Sequence, residues 1–292
     1  MLSVVIPSRN DQFLQKTIDD LLEKAEGEIE VIVILDGYWP KPMLSNDPRV
    51  VVLHHGTVHE NLGMRGGINA GAEVARGEYI MKIDEHCMVD QGYDVKLAAD
   101  CEDNWVVIPR RYRLDAKKWK VIDDGRPPID YMYIQNKGGY LHGSEWKRPD
   151  RKKVLIDDTM SFQGSCWFMK KKFWDNVIGP MDDKNYGPFA NEAQEIGNKA
   201  WLCDGAVKVN KKTWYAHWHK DSTGYGFSNE QHRKFRESVA KGRDYSTDFW
   251  LGNKWDKRVH DFDWLIEKFW PLPGWPENWK ETTEKEMQEQ TA

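Results

Sequence analysis

The chain has 292 residues and a formal net charge of -5 at pH 7. This length is enough for one large domain with an ample core, or for one domain with an extension. The slightly acidic balance argues against a protein that coats nucleic acid by bulk electrostatics, although it allows a local basic groove. No apolar run approaches the length of a membrane span, and Met1 leads into a predicted strand without a signal-peptide pattern. We therefore expect a cytoplasmic protein with no membrane partner.

The cysteine and tryptophan content indicates a reduced protein with an aromatic core. The four cysteines form no Cys-x-x-Cys pair and suggest no disulfide framework, so we expect reduced thiols. Fifteen tryptophans are present, many of them from residue 201 onward. Packing in a core is their simplest explanation, although sugar faces also stack on such rings.

Strands and helices alternate through the first hundred residues. The sequence predicts strands over 2–7, 30–35, 50–54 and 78–83, and helices over 12–24 and 66–75. Alternation of this kind favours a mostly parallel sheet with helices on both faces. We therefore predict an α/β fold with a Rossmann-like, twisted sheet flanked by helices.

The second half of the chain differs from the first in composition. It is more polar, with aromatic and proline-containing segments and with basic clusters at 110–111 and 147–153, which are usually solvated surface. We predict a strand over 165–169 and helices over 191–202 and 228–241. These patterns divide the chain into a main domain of residues 1–227 and a helical, Trp-rich extension of residues 228–292 that packs on it, with flexible last residues.

Asp84 and His86 follow the predicted strand 78–83 directly. Residues i and i+2 of an extended chain point to the same side, so both side chains can reach one divalent ion at the strand's C-terminal end. Open α/β sheets bind their ligands at that end. Taken alone, an Asp-x-His pair is a weak signal, because such pairs also arise by chance.

Further segments occur in a fixed order around this pair. They are 3–10 (SVVIPSRN), 34–37 (ILDG), 61–65 (NLGMR), 69–71 (NAG), 163–165 (QGS), 189–195 (FANEAQE), 201–205 (WLCDG) and 215–220 (YAHWHK). Together they resemble family-2 glycosyltransferases of the GT-A fold, and the Asp-x-His pair resembles the form used by polypeptide N-acetylgalactosaminyltransferases. Residues 1–227 would then be the catalytic domain. The order of these motifs is more specific than any one of them.

The resemblance implies a divalent cofactor, Mn²⁺ or Mg²⁺, held by Asp84, His86 and His217. One oxygen and two nitrogens suit Mn²⁺, and a bound ion neutralises the charge that develops on a diphosphate leaving group. His217 occupies the family position that follows a glycine or an alanine. His219 stays open as an alternative third ligand.

The resemblance also implies a nucleotide-sugar donor, with a UDP-sugar favoured. The residues that it assigns to donor binding are Pro7, Arg9, Asp36, Gly63, Arg65, Gln163, Gly164, Ser165 and Tyr225. Asp36 would contact uracil or ribose, and Arg65 at a helix N-terminus would suit the diphosphate. The simpler alternatives are an ordinary strand-to-turn aspartate for Asp36 and a surface cation for Arg65. Residues 222–225 resemble a loop that closes over bound nucleotide.

Three residues are candidates for the chemical step by resemblance: Glu192, Glu195 and Lys220. In inverting members an acid of this region deprotonates the acceptor hydroxyl, whereas in the retaining N-acetylgalactosaminyltransferases the aligned acids bind the sugar. The anomeric outcome therefore stays open. Lys220 would hold the leaving phosphate. For both acids, the simpler alternative is a carboxylate that satisfies a helix N-terminus.

We thus expect a metal-dependent glycosyltransferase that transfers a sugar from a nucleotide-sugar to a hydroxyl. The acceptor could be a glycan, a protein side chain or a hydroxymethylated DNA base; for DNA, the basic clusters and residues 233–255 would form the contact surface. The alternative is a non-catalytic nucleotide-sugar or carbohydrate-binding module of the same fold. A nucleotidyltransferase is disfavoured, because residues 8–11 (SRND) do not form a glycine-rich, basic phosphate loop.

Overall fold

The computed structural model describes residues 1–10, 12–57, 60–136, 139–220 and 229–281. The strands are β1 (Leu2–Ser8), β2 (Ile29–Asp36), β3 (Val50–His55), β4 (Tyr79–Ile83), β5 (Cys87–Val89), β6 (Trp105–Asp115), β7 (Lys120–Val121), β8 (Met132–Asn136), β9 (Leu141–Glu145), β10 (Ile156–Asp158), β11 (Cys166–Lys170) and β12 (Ala206–His217). The helices are α1 (Leu14–Lys24), α2 (Gly63–Val74), α3 (Tyr93–Ala99), α4 (Lys171–Phe173), α5 (Glu192–Leu202), α6 (Asn229–Leu251) and α7 (Phe262–Phe269). A 3₁₀ turn covers Pro149–Arg151, and a π-helical turn covers Trp174–Ile178.

One large sheet organises the molecule. Its strand order is β10-β12-β6-β11-β4-β1-β2-β3, with β5 added to β12 and β7 to β6, while β8 and β9 form a separate hairpin. Strands β4, β1, β2 and β3 are parallel, as predicted from the alternation of strands and helices.

The second half of the sheet differs from the predicted, mostly parallel arrangement. Strand β11 lies between β4 and β6 and is antiparallel to both, and β10 and β5 are antiparallel to β12. The sheet is therefore mixed. The physical reason is that the strand-helix alternation ends near β6, so successive strands are no longer joined by the helical crossovers that parallel pairing needs.

Alternate residues of the central strands face two different cores. Val4 and Ile6 of β1 pack with α1 and α3 on one face of the sheet, whereas Val5 packs with α2 on the other. Every residue of β2 is buried. Burial on both faces explains why these strands appear in the sequence as continuous apolar runs rather than as alternating ones.

The C-terminal helices share a core with the sheet. Trp250 of α6 and Phe262 of α7 are buried in the same cluster as Ile196 of α5 and Val207 of β12. Trp275 and Trp279 are also buried in this cluster. The described part of the extension thus packs on the main domain, and most of its tryptophans contribute to the core.

Most predicted elements of the first half are observed within two or three residues of their predicted ends. The predicted helix 228–241 continues to Leu251, and strands β5 to β10 and β12 were not predicted. Within the described ranges, no helix is both long enough and apolar enough to cross a membrane.

Candidate active site

Asp84, His86 and His217 converge at the carboxyl end of β4. Asp84 follows β4 directly, His86 precedes β5, and His217 is the last residue of β12. One potential ligand atom from each residue lies within 4.8 Å of the others. Nε2 of His217 is 3.1 Å from Nε2 of His86 and 3.2 Å from Oδ2 of Asp84. Pairing of β5 with β12 sets His217 opposite Cys87 and so brings His217 close to His86, which lies 131 positions earlier in the chain.

The cluster fits a divalent cation in spacing and in protonation. Donor atoms about 3 Å apart are what bonds near 2.1 Å to one ion produce, as in octahedral sites. Burial lowers the pKa of His217 to about 3, with Asp84 only partly opposing that effect, so its imidazole is neutral at pH 7. Burial tends to raise the pKa of Asp84, but Lys82 and His217 together hold it well below its usual range. A neutral imidazole and an ionised carboxylate are the states that bind metal.

His219 lies next to this cluster without joining it. Its Nε2 is 2.7 Å from Nη1 of Arg111, and its ring meets the His217 ring edge-on with centroids 4.7 Å apart. Between the two alternatives left open by the sequence, the geometry favours His217 as the third ligand.

Lys82 is a site residue that our sequence reasoning missed. Its side chain is fully buried in β4, and its ammonium group donates to Oδ1 of Asp84 at 2.7 Å, to the Gly164 carbonyl at 2.6 Å and to Oε2 of Glu192 at 3.3 Å. Burial works to lower the pKa of Lys82, but the two carboxylates raise it above its usual value, so the lysine is charged. The available signal was a charged residue inside an apolar strand, two positions before Asp84.

Glu192 joins the cluster through this lysine. It is the first residue of α5, and its Oε1 accepts a hydrogen bond of 2.8 Å from Nε1 of Trp167. Burial raises the pKa of Glu192, against the opposing effect of Lys82. A Cβ added at Gly164 would lie 2.9 Å from Oε2 of Glu192, so the small residue of the predicted donor-sugar turn makes room for this carboxylate.

The structure places both Glu195 and Arg65 in the core. Arg65 has no exposed surface; its guanidinium forms an ion pair with Glu195, donates to the Ala190 carbonyl and lies over the Tyr186 ring. Glu195 also accepts a 2.7 Å hydrogen bond from Lys199. With these partners, the pair connects α2 to α5, and the structure supports neither the diphosphate contact of Arg65 nor the catalytic position of Glu195.

Asp36 and Gly63 shape the start of α2. Oδ1 of Asp36 accepts from the backbone N–H of Leu62 at 2.7 Å, and Oδ2 accepts from that of Gly63 at 2.8 Å. Gly63 has φ of +71°, and a Cβ there would overlap Pro188. The carboxylate of Asp36 is therefore already bonded to protein at both oxygens, which corresponds to the simpler alternative for this residue.

Lys220 and Arg9 meet at Glu85, a residue that our sequence reasoning did not assign. Oε1 of Glu85 is 3.1 Å from Nζ of Lys220, and its Oε2 accepts from the backbone N–H of Arg9 at 2.9 Å. Glu85 thus holds the Lys220 ammonium group and the backbone of Arg9 beside the metal ligands that flank it in sequence. Pro7, at the end of β1, is half-buried and packs near Gly67 of α2.

The remaining predicted donor residues fall into three groups. The Ser165 carbonyl accepts a 2.9 Å hydrogen bond from the backbone N–H of Asp84, and the Ser165 hydroxyl forms a 2.8 Å hydrogen bond with the hydroxyl of Tyr215. Ser165 therefore holds Asp84 in place through the backbone. Gln163 lines a small cavity of about 20 Å³ with Ser161, large enough for one water. Tyr225, together with the predicted loop 222–225, lies outside the described residues.

Three arginines of the basic clusters pair with acidic neighbours. Arg110 pairs with Asp130, and Arg148 and Arg151 pair with Asp150 and Asp157. In the segment 233–255, the rings of Trp250 and Trp255 are buried. These contacts argue against the predicted nucleic-acid surface, because they neutralise three of its cations and leave these two rings unable to stack on bases.

Comparisons with known proteins agree on the fold. Residues 3–177 match the family model of Glycosyl transferase family 2. The "Uncharacterized glycosyltransferase EpsJ" of Bacillus subtilis (strain 168) is 28% identical over 111 residues, which are 36% of this chain and 31% of that protein. This chain therefore spans about a third of the length of that curated relative.

GalNAc-T7 and TarS are among the solved structures that are similar to the chain. GalNAc-T7, solved with UDP, GalNAc and Mn²⁺, has a TM-score of 0.66 and 16% identity, over 94% of this chain and 58% of that one. Residues 1–349 of TarS from S. aureus give a TM-score of 0.50 and 14% identity, over 99% of this chain and 81% of that one. The fold and the family predicted from the motifs are both confirmed. Since the family model covers more than half of the residues, the chain belongs to glycosyl transferase family 2.

Proposed function

We propose that the chain is a metal-dependent glycosyltransferase that moves a sugar from a nucleotide-sugar, favoured to be a UDP-sugar, to an acceptor hydroxyl. The observation that carries this proposal is the convergence of Asp84, His86 and His217 at the carboxyl edge of the sheet. GalNAc-T7, which shares the fold, is described with UDP, GalNAc and Mn²⁺, and this supports the choice of donor and ion.

The metal ligands and Lys220 have different roles in the proposed reaction. A divalent ion, when bound by Asp84, His86 and His217, would neutralise charge on the diphosphate as it departs. Lys220, held by Glu85 at 3.1 Å, adds a fixed positive charge on the same edge. A charge held in place before the reaction costs no reorganisation as the leaving group becomes more negative. We therefore assign Lys220 to the leaving phosphate.

An exposed aromatic pair offers a place for the nucleobase. Trp39, in the segment after β2, is 53% exposed and stacks on His54 at the end of β3, with ring centroids 4.3 Å apart and 6° between the planes. Three strand spacings separate β3 from β4, about 14 Å along the carboxyl edge. A nucleoside diphosphate is an extended molecule that could reach from the metal ligands towards this pair. With both oxygens of Asp36 occupied, we assign base stacking to Trp39.

Glu192 is the acid that we assign to the transferred sugar. Glu192 forms an ion pair with Lys82, which also binds Asp84, and it lies beside Gly164. Glu195, in contrast, is buried and paired with Arg65 and Lys199. A carboxyl group whose pKa is raised by burial suits either a hydrogen bond to a sugar hydroxyl or proton abstraction from an acceptor. Both the retaining and the inverting outcome use the same residue.

For the acceptor, we favour a hydroxyl of a glycan or a protein over a hydroxymethylated DNA base. Arg110, Arg148 and Arg151 of the basic clusters have acidic partners, and the tryptophans of the segment 233–255 are buried. Transfer to modified DNA with a strong salt dependence of binding would reverse this preference.

The test is a titration with UDP-, GDP- and TDP-sugars, with and without Mn²⁺, followed by calorimetry and by released nucleotide. We expect Mn²⁺-dependent binding of one donor with slow hydrolysis, loss of both in Asp84→Asn, and no loss in Asp175→Asn, a matched change at an exposed acid paired with Lys171. Binding without any nucleotide release or transfer would favour the non-catalytic module. Equal donor binding by Asp84→Asn with Mn²⁺ present would refute the metal assignment.

A further inference from the structure

Lys82 occupies an unusual position for a charged residue. It lies inside β4, a central strand, with Val5 of β1 opposite on one side and Trp167 of β11 on the other. Its side chain has no exposed surface. Burying an ammonium group costs several kcal/mol unless it is well paired, so the position demands strong partners.

The three oxygen acceptors bonded by Lys82 all belong to the candidate active site, and a fourth acceptor is Sδ of Met64 at 3.6 Å. Asp84 is a proposed metal ligand, Glu192 is the proposed sugar-contacting acid, and Gly164 lies in the predicted donor-sugar turn. The ammonium group binds Oδ1 of Asp84, while Oδ2 of the same carboxylate faces Nε2 of His217 at 3.2 Å. One oxygen is thereby tied to the core of the protein and the other is presented to the ligand cluster.

We infer that Lys82 is a positioning residue that orients Asp84 for metal binding and fixes Glu192 relative to the same ion. The inference rests on the proposed function. Lys82 is fully buried, so it acts through these carboxylates rather than by touching substrate. Without it, Asp84 would lose the bond that fixes its rotation, and Asp84 and Glu192 would share the site without the cation between them.

The direction in which Mn²⁺ affinity changes distinguishes a residue that orients a metal ligand from a residue that only adds positive charge near the ion. Removing a nearby positive charge should by itself strengthen Mn²⁺ binding, because the cation no longer repels the ion. Losing a residue that orients a metal ligand weakens binding, typically 10- to 100-fold. We expect the second effect to dominate in Lys82→Met, which keeps a long side chain in the same space.

The experiment measures the Mn²⁺ dissociation constant of the donor-free protein by electron paramagnetic resonance of the free ion. We expect Lys82→Met to bind Mn²⁺ about 10- to 100-fold more weakly than the wild type. The matched control is Lys199→Met, which removes another buried lysine paired with an acid, Glu195, and should stay within about threefold of the wild type. Unchanged or tighter Mn²⁺ binding by folded Lys82→Met overturns the inference.

A second comparison guards against misfolding of the single variant. Lys82→Met/Glu192→Gln removes the acid that would be left unpaired, and it is compared with Glu192→Gln, which keeps the Lys82–Asp84 bond. We expect the double variant to bind Mn²⁺ about 10- to 100-fold more weakly than Glu192→Gln does. Equal Mn²⁺ affinity of the two variants overturns the inference. A wild type that binds no Mn²⁺ overturns the metal site of the proposed function as well, so the two failures are distinguishable.

Discussion

Arg65 on α2 and Glu195 on α5 form a buried ion pair that joins two helices distant in sequence. Glu195 has a second cationic partner in Lys199, and Arg65 donates further to the Ala190 carbonyl. Two residues that resemble substrate-contacting positions thus stabilise the packing behind the site. Breaking such a pair is costly, because the remaining charge stays buried without its full set of partners.

Arg65→Met should therefore destabilise the protein strongly. We expect a loss of about 3–5 kcal/mol in the free energy of unfolding, measured by urea denaturation at pH 7. Arg233→Met, which breaks an exposed pair with Glu230 and Glu237, is the control and should change stability little. A stable Arg65→Met with impaired donor binding would return Arg65 to the donor site.

Gly63→Ala should disturb the start of α2 in two ways. Its φ of +71° is a conformation that alanine adopts at a cost, and the added Cβ would overlap Pro188. We expect a loss of roughly 3 kcal/mol or more, the sum of backbone strain and overpacking. Gly125→Ala has φ of +73° with nothing within 4 Å of the added Cβ, so it should lose only about 1–2 kcal/mol. Equal losses in the two variants would show that the contact with Pro188 is unimportant.

His217→Gln and His219→Gln test which histidine binds the ion. Nε2 of His217 lies in the cluster, whereas that of His219 bonds Arg111. We expect Mn²⁺ affinity to fall at least about 100-fold in His217→Gln and to change less than about tenfold in His219→Gln. Calorimetry with Mn²⁺ alone measures both variants, and the reverse pattern would make His219 the ligand.

Trp39→Ala should weaken donor binding without affecting Mn²⁺ affinity. Loss of a stacking ring costs about 1–3 kcal/mol per base, or roughly 5- to 150-fold in affinity for the nucleotide. Trp270→Ala, at another exposed tryptophan, is the control. Unchanged UDP binding by Trp39→Ala would place the base elsewhere.

We expect acid to lower the free energy of unfolding of the protein, because protonation of Glu30 in β2 removes a stabilising carboxylate. Burial tends to raise the pKa of Glu30, but hydrogen bonds from Ser3 and Arg76 outweigh this and hold the pKa below its ordinary value of 4.5. The stability that the carboxylate contributes is therefore present above pH 4.5 and is lost as the pH falls through the lowered pKa. In urea denaturation, the wild type should exceed Glu30→Gln by roughly 2 kcal/mol at pH 7, with the difference shrinking below pH 4. A difference independent of pH would contradict this role.

The motifs and the apolar runs of the first half predicted much of the fold from sequence alone. Strands β1, β2 and β4 are buried on both faces, so their apolar runs are easily recognised, and the helices α1 and α2 allow the strands that they connect to run parallel in the sheet. Asp84 and His86 were predicted as partners from the spacing of an extended chain, and the structure brings them together although residues 85–86 form a turn between β4 and β5. The order of the motifs led to the correct family.

The tertiary structure decided which of the similar acidic and basic residues belong to the site. Glu192 and Glu195 are one helical turn apart, yet one faces Lys82 and the other faces Arg65, a difference that depends on what packs against each side of α5. Lys82 became part of the site only because β11 and α5 bring Gly164 and Glu192 to β4. Sequence fixes residue types and local spacing, whereas the partner of a buried charge is set by distant segments that the fold brings into contact.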